Sequence, residues 1–138
     1  MRTILAAAVA AALMLVLPGA ASAETKKFVV TMKLTPAGAI IIRECGGEPT
    51  GATAKLTGTV SPVRAGKKVK IYKWLEGTST WKLEGTARIR SSGRFTFVDR
   101  PTTPTWRDYQ ARMPEVGSYH AAWSKRVRVY VGYDSCPN

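Results

Sequence analysis

The sequence predicts an all-β fold, an antiparallel β-sandwich of about seven to eight strands. Short runs of β-branched and aromatic residues alternate between apolar and polar side chains. Gly, Pro, Ser and Thr interrupt these runs at regular spacing, and no run has the period of a helix. Because no helical segment is available to connect parallel strands, the strands are expected to pair with Greek-key connections.

The first 23 residues have the three-part layout of a secretory signal peptide. Arg2 supplies a positive charge, Thr3–Leu17 is uncharged and rich in Ala and Leu, and Ala21-Ser22-Ala23 provides a cleavage site before Glu24. The alternative is an uncleaved membrane anchor, but the apolar core is shorter than the roughly 20 residues that a spanning helix needs. The sequence therefore predicts cleavage after Ala23, a secreted, extracellular protein that is not membrane-embedded, and one domain over residues 24–138.

The first three predicted strands are bounded by proline and glycine. Lys26–Leu34 ends before Pro36, and Ala39–Glu44 contains three consecutive isoleucines and precedes a Gly-Gly-Glu-Pro loop. Ala54–Val60 alternates small or apolar residues with Lys and Thr, and it stops at Pro62.

The middle of the chain predicts two longer strands. Lys67–Leu75 alternates between apolar residues and a polar face that also carries aromatic rings. Trp81–Arg90 follows a turn, and period-two alternation predicts that one buried face carries Trp81, Leu83, Ala87 and Ile89.

The last predicted strands follow a tight hairpin signal at Ser91–Arg94. A returning strand led by Phe95 comes next, then Trp106–Met113 and Lys125–Tyr133. The residues predicted to be buried are Val69, Ile71, Trp81, Leu83, Ile89, Phe95, Phe97, Val127 and Val129.

Several short motifs occur in a familiar order: LTGTVSP at 56–62, AGKKVKI at 65–71, Trp81, SGRFTF at 92–97 and YQAR at 109–112. This order resembles Ig-like domains of secreted bacterial proteins, which read G-x-V-x-P, A-G-x-x-V, Trp, G-x-F/Y-x-F and a late Y-x-x-R. The resemblance covers roughly 56–133. It implies a seven-stranded sandwich with a binding, spacer or adhesive role and no catalysis. The chain departs from the family pattern in standing alone behind a signal peptide and in carrying two cysteines.

The cysteines and the net charge bear on two questions: whether the domain contains a disulfide, and which partners it favours. In an exported chain, Cys45 and Cys136 predict one disulfide, which closes a loop of 91 residues and contributes roughly 4–5 kcal/mol. The 21 Lys and Arg residues against 9 Asp and Glu residues give a net charge of +12. Such a charge favours anionic partners, and the alternative is that it serves solubility alone.

The sequence contains no recognisable catalytic or metal-binding set. His120 lies in a predicted loop without a nucleophile elbow nearby, and no CxxC pair or phosphate-binding glycine loop occurs. We therefore predict a protein that is not an enzyme and has no cofactor and no metal.

One predicted surface combines cations with aromatic rings. If Lys67–Leu75, Trp106–Met113 and Lys125–Tyr133 share a sheet, their outward residues form one face, with Asp108 its single acid. The candidate binding residues are Lys68, Lys70, Tyr72, Trp74, Trp106, Arg112, Arg126, Arg128 and Tyr130. Cations suit anionic polymers, and aromatic rings stack on sugars. The alternative is an ordinary solvated β-face with common cross-strand pairs.

These observations predict a secreted monomer that binds an anionic cell-surface polymer, a glycan or an acidic protein through that face. Nucleic acid is disfavoured by export, although extracellular DNA is also a polyanion. One alternative is a structural or adhesive domain that contacts proteins through an exposed strand edge. A second is a small enzyme or an enzyme inhibitor, and for an inhibitor the only candidate loop is Asp99–Thr105.

Overall fold

The structure is a computed structural model that describes residues 24–44 and 52–135. The predicted signal peptide at residues 1–23 lies outside the described residues, as do Cys45 and Cys136, the two cysteines of the predicted disulfide.

The described residues form nine strands and no helix. Eight strands correspond to the predicted ones, with ends that differ by a few residues, and β8 has no counterpart in the sequence prediction. The strands are β1 Val29–Leu34, β2 Ile40–Glu44, β3 Ala54–Ser61, β4 Lys68–Leu75, β5 Lys82–Arg88, β6 Arg94–Asp99, β7 Thr105–Met113, β8 Ala122–Trp123 and β9 Val127–Ser135.

Within residues 24–44 and 52–135, the strands form two sheets that pack face to face. The smaller sheet has the order β1-β3-β6, and the larger has the order β2-β9-β7-β4-β5, with β8 also paired to β7. The pairing of β2 with β9 is parallel, and the other named strand pairs are antiparallel. The predicted all-β sandwich is therefore confirmed, and β4, β7 and β9 lie side by side in one sheet, as the candidate face requires.

The core lies between the sheets and follows the predicted alternation closely. Most inward residues of the larger sheet are buried: Val69, Ile71, Tyr109, Ala111, Met113, Val129 and Val131, while Val127 is half-buried. Ile89 and Phe95 are buried as predicted, and Phe97 packs half-buried against the core. Gly58 lets Phe95 lie against the backbone, because a Cβ at this position would collide with the phenyl ring and with the carbonyl of Thr31.

The prediction for Leu83 is wrong, because a β-bulge in β5 reverses its side-chain direction. Ile71 pairs with Gly85 while Tyr72 pairs with Leu83, so Glu84 is an extra residue on β5. An extra residue shifts every preceding side chain to the opposite face of the sheet. Leu83 is consequently 53% exposed, and Trp81 is only half-buried rather than part of the core.

Phe95 and Leu83 provide a direct test of this corrected core. Replacing Phe95 with Ala is expected to lower the free energy of unfolding by about 3–5 kcal/mol, because it leaves a cavity beside Gly58. The matched change Leu83→Ala removes an exposed side chain and is expected to cost less than about 1 kcal/mol. Urea denaturation of both variants measures the difference, and equal losses would contradict the bulged register.

Candidate binding face of the larger sheet

The register of the larger sheet arranges cations and aromatic rings in rows on its outer side. From one end to the other, the rows contain Tyr130 and Trp106; Arg128, Asp108 and Trp74; Gln110, Tyr72 and Leu83; Trp123, Arg112 and Lys70; and Lys68 and Arg88. Arg126 and Trp81 contact each other beside these rows. We call this surface the basic-aromatic face, and all nine candidate residues predicted from the sequence lie on it.

The aromatic end of the face is formed by Trp106 and Tyr130. Their ring centres are 4.9 Å apart, and the rings are inclined at 50° to each other. The residues are 40% and 43% exposed, so each keeps a surface that a ligand ring can contact. The guanidinium of Arg128 lies 5.0 Å from the centre of the Trp106 ring, within the range of a cation–π contact.

The charge of Arg128 is balanced by two carboxylates. Glu76 lies 3.6 Å from one guanidinium nitrogen, and Asp108 lies 3.9 Å from another. Asp108 occupies an outward register position as predicted, but it is buried between its cross-strand partners Trp74 and Arg128. Asp108 Oδ1 has no hydrogen-bond partner in the described part of the chain. Arg128 therefore contributes less free positive charge than the sequence suggests.

The opposite end of the face carries uncompensated positive charge. Lys68 lies across from Arg88, and Lys70 lies across from Arg112. Among the ion pairs formed by residues 24–44 and 52–135, none involves these four cations. Arg112 stacks over Trp123 at 5.6 Å, which holds the guanidinium in place without neutralising it. Four cations without acidic partners among the described residues therefore lie at this end of the face, whereas Arg128 near the other end is paired with two carboxylates.

Four residues of the face were missed from the sequence: Leu83, Arg88, Trp81 and Trp123. Arg88 neighbours the buried Ala87, so alternation along β5 could have identified it as outward. Trp81 was assigned to the core, but its ring lies 5.3 Å from the guanidinium of Arg126 on the face. Trp123 belongs to a two-residue strand that is too short to show alternation, and its ring centre lies 5.0 Å from that of Tyr72.

A groove of about 890 Å³ runs along the side of the sandwich next to the aromatic end. We call it the edge groove. Its lining comes from the end of β1, the following loop and the start of β9, together with Trp106: Met32, Lys33, Leu34, Ala37, Gly38, Ala39, Trp106, Arg126, Val127, Arg128 and Tyr130. Three of these residues are cationic and none is acidic.

A buried polar cluster joins the two sheets around Asp99, at the end of β6. The Tyr109 hydroxyl donates a hydrogen bond of 2.5 Å to Asp99 Oδ2, and Lys73 Nζ lies 3.3 Å from the same oxygen. Arg107 Nη1 lies 3.6 Å from it, and Arg107 Nη2 donates to the carbonyl of Thr103 at 2.7 Å. Lys73 also contacts Glu84 at 2.9 Å.

Burial and charge in this cluster move the pKa values of Asp99 and Tyr109 in opposite directions. Burial acts to raise the pKa of Asp99, but the Tyr109 hydrogen bond, the charge of Lys73 and that of Arg107 outweigh it, so the pKa lies below its ordinary value of 3.8. Burial, the hydrogen bond to Asp99 and the charge of Asp99 raise the pKa of Tyr109 above its ordinary value. At neutral pH the carboxylate is ionised and the phenol is neutral, which makes the cluster an ion-pair clamp between sheets.

The chain's similarity to known proteins does not indicate a function. The chain matches no protein-family model and no curated protein. Within residues 24–44 and 52–135, no group of three or more His, Cys, Asp or Glu side chains is placed to hold a metal ion. Among the same residues, no helix is long and apolar enough to cross a membrane. The face and the groove are therefore the features from which a function can be inferred.

Removing the carboxylate of the clamp is expected to make stability less dependent on pH. Because folding lowers the pKa of Asp99, its ionisation stabilises the fold fully above pH 3.8, and this contribution is lost as the pH falls through the lower folded-state value. Asp99→Asn is expected to cost about 3–5 kcal/mol near pH 7, because Arg107 loses its buried counter-ion.

The difference in unfolding free energy between the parent and Asp99→Asn is then expected to shrink below about pH 4. Urea denaturation across an acidic pH series measures this difference. The exposed acid Glu115, replaced with Gln, serves as the control and is expected to change stability by less than about 0.5 kcal/mol. A gap between parent and Asp99→Asn that stays constant with pH would refute the clamp.

Proposed function

We propose that this protein is a secreted, non-catalytic, Ig-like binding module whose basic-aromatic face holds an anionic surface polymer or glycan. The observation that carries the proposal is the set of four cations without acidic partners at one end of the face: Lys68, Lys70, Arg88 and Arg112. Because their charge is not used within the described part of the fold, it is available to an external anion.

The spacing of these cations suits a polymer with repeating charge. Neighbouring strands of a sheet lie about 4.8 Å apart, and residues two positions apart on a strand are separated by about 6.7 Å. Lys68, Lys70, Arg88 and Arg112 therefore form a small two-dimensional array across three strands. A linear polymer can meet several members of such an array at once, which a single small anion cannot do.

The rings at the other end add a contact that does not depend on charge. Trp106 and Tyr130 expose ring surface, and Arg128 beside them is already balanced by Asp108 and Glu76. Sugar rings and other apolar parts of a polymer can stack on these side chains. We expect a ligand to lie along the rows, with its anionic groups toward Lys68 and its ring surfaces toward Trp106.

Export and the disulfide belong to the same proposal. The last register pair that the structure describes between β2 and β9 is Glu44 with Ser135. Each of these residues directly precedes a cysteine in the sequence, Cys45 and Cys136. Paired strands lie about 4.8 Å apart, which falls within the Cα separation that disulfides allow. This register supports the predicted disulfide.

The charged end of the face can be tested with variants of equal net charge. The double change Lys68→Gln and Lys70→Gln is expected to weaken heparin binding at low salt. It is also expected to reduce the slope of log affinity against log salt by about two, roughly one for each lost contact. The control Lys27→Gln with Lys55→Gln removes the same charge away from the face. If both pairs change binding equally, the charge acts only through the net charge of the protein.

For substitutions at the aromatic end, we expect a loss of heparin affinity that does not depend on salt. Replacing Trp106 and Tyr130 with Ala is expected to lower heparin affinity by a similar factor at every salt concentration, because stacking is not screened by ions. Tyr133→Ala removes an equally exposed ring at the far end of β9 and is expected to have no effect. Isothermal titration calorimetry at low and high salt measures both variants, and a loss confined to low salt would contradict a stacking role.

The disulfide can be tested on the secreted protein by intact-mass measurement. Treatment with reductant is expected to increase the mass by two hydrogen atoms. Losing the bond is expected to cost roughly 4–5 kcal/mol of stability, because the 91-residue loop between Cys45 and Cys136 is no longer closed in the unfolded chain. Two free thiols in protein prepared without reductant would exclude the bond.

A protein-interaction role is the second candidate function, and the edge groove is the observation that favours it. The inhibitor alternative stays a prediction that no observation here favours. In the loop after Asp99, Asp99 and Pro101 are buried, and the Thr103 carbonyl accepts a hydrogen bond from Arg107.

A further inference from the structure

The edge of β9 that faces the edge groove is paired along only half of its length. The parallel ladder with β2 begins at Ile40 with Val131 and runs to the end of β9. From Val127 to Tyr130, β9 pairs with β7 on one side, and no strand of the described chain lies on the other. Backbone N–H and C=O groups along this stretch therefore point into the groove, because a strand presents such groups on both edges.

The chain leaves this edge because it bends before β2 begins. Gly38 has a φ of +135°, a conformation that favours glycine, and it lies in the segment between β1 and β2. If β2 continued toward its N-terminus in register, residues 36–39 would cover the open stretch of β9. Ala37, Gly38 and Ala39 instead form the far wall of the edge groove. The groove therefore occupies the line that one more strand of the sheet would follow.

The side chains on the inner side of the groove differ in polarity from those on its outer side. Toward the interior of the sandwich, the groove is lined by the half-buried apolar side chains of Met32, Leu34 and Val127. Toward the outer side lie Arg128 and Tyr130, whose register positions belong to the basic-aromatic face. Since successive side chains of a strand point to opposite faces, an occupant is expected to alternate apolar residues with acidic ones.

We propose that the edge groove binds an extended acidic polypeptide segment of a partner protein, which adds to the sheet as a strand beside Val127–Tyr130. The open length corresponds to about 13 Å of strand, and the groove of about 890 Å³ beside it is open to solvent and not enclosed. Lys33 and Arg126, which form no ion pair among the described residues, and the absence of acids in the lining select an acidic segment over a basic one. This site is separate from the polymer-binding rows of the proposed function, although the two share Trp106, Arg128 and Tyr130.

The probe for this site is a fluorescein-labelled octapeptide in which Val alternates with Asp. Two N-methylated forms of it carry methyl groups on alternate amides, either all on the Val residues or all on the Asp residues. An added strand directs one set of amides toward β9 and the other toward solvent. Fluorescence anisotropy is expected to show at least about a tenfold loss of affinity for one methylated form and little change for the other. A version with Lys in place of Asp is expected not to bind.

Substitutions inside and outside the edge groove test whether the octapeptide binds there. Ala39→Trp fills the groove from its wall and is expected to reduce binding of the octapeptide at least about tenfold. Ala65→Trp adds the same side chain at an exposed turn outside the groove and is expected to leave binding unchanged. Ala39→Trp is also expected to bind heparin as the parent does, whereas the Lys68 and Lys70 double variant keeps its affinity for the peptide. These paired results separate this proposal from that of the polymer-binding face.

Hydrogen exchange gives the most direct measurement. Amide protons of Val127–Tyr130 that face the groove are expected to exchange quickly in the free protein and to become protected when the octapeptide is bound. Three outcomes would each overturn the proposal: no peptide binding up to about 1 mM, equal loss for both methylated forms, or protection that appears elsewhere in the chain.

Discussion

The carboxylate of Asp99 is the point at which the two sheets are tied together by charge. It lies on β6 of the smaller sheet, and its three partners, Tyr109, Arg107 and Lys73, lie on β7 and β4 of the larger sheet. Apolar packing between sheets has no preferred direction, so it permits sliding until something fixes the alignment. A buried ion pair with three partners has few acceptable geometries. It therefore fixes which residues of β4 and β7 face inward, and by alternation it also fixes which of them form the outer face.

Much of this arrangement could be predicted because a strand repeats every two residues. Alternation located eight strands and oriented β4, β7 and β9 correctly, so the outward residues of these three strands could be named from the sequence, whereas the rows that they form depend on the pairing register. Leu83 was misplaced because nothing in the local pattern marks Glu84 as the extra residue of a bulge; that information lies in the pairing with β4. Lys73 and Arg107 hold inward positions on otherwise apolar faces, and this conflict was the available signal for the cluster around Asp99. The pairing of Arg128 with acids depends on Glu76, which lies beyond the end of β4.

The basic-aromatic face and the edge groove arise from different physical causes. The face results from regular alternation, which places one side chain in two on the outer surface of a paired sheet. The groove results from an interruption, where the chain bends at Gly38 and joins β9 later than it could. The two surfaces meet at Trp106, Arg126, Arg128 and Tyr130, which belong to both. One set of four side chains therefore results from both causes.

The parallel pairing of β2 with β9 also determines how the domain responds to tension. These two strands run in the same direction, so pulling backward on the chain before Ile40 and forward on the chain after Ser135 slides one strand along the other. The load is then shared by the whole ladder from Ile40–Val131 to Glu44–Ser135, whereas strands peeled apart from one end break their hydrogen bonds one at a time. Tension applied to the chain before β1 falls first on the pairing of β1 with β3, and the parallel ladder between β2 and β9 is the barrier that remains once β1 has detached.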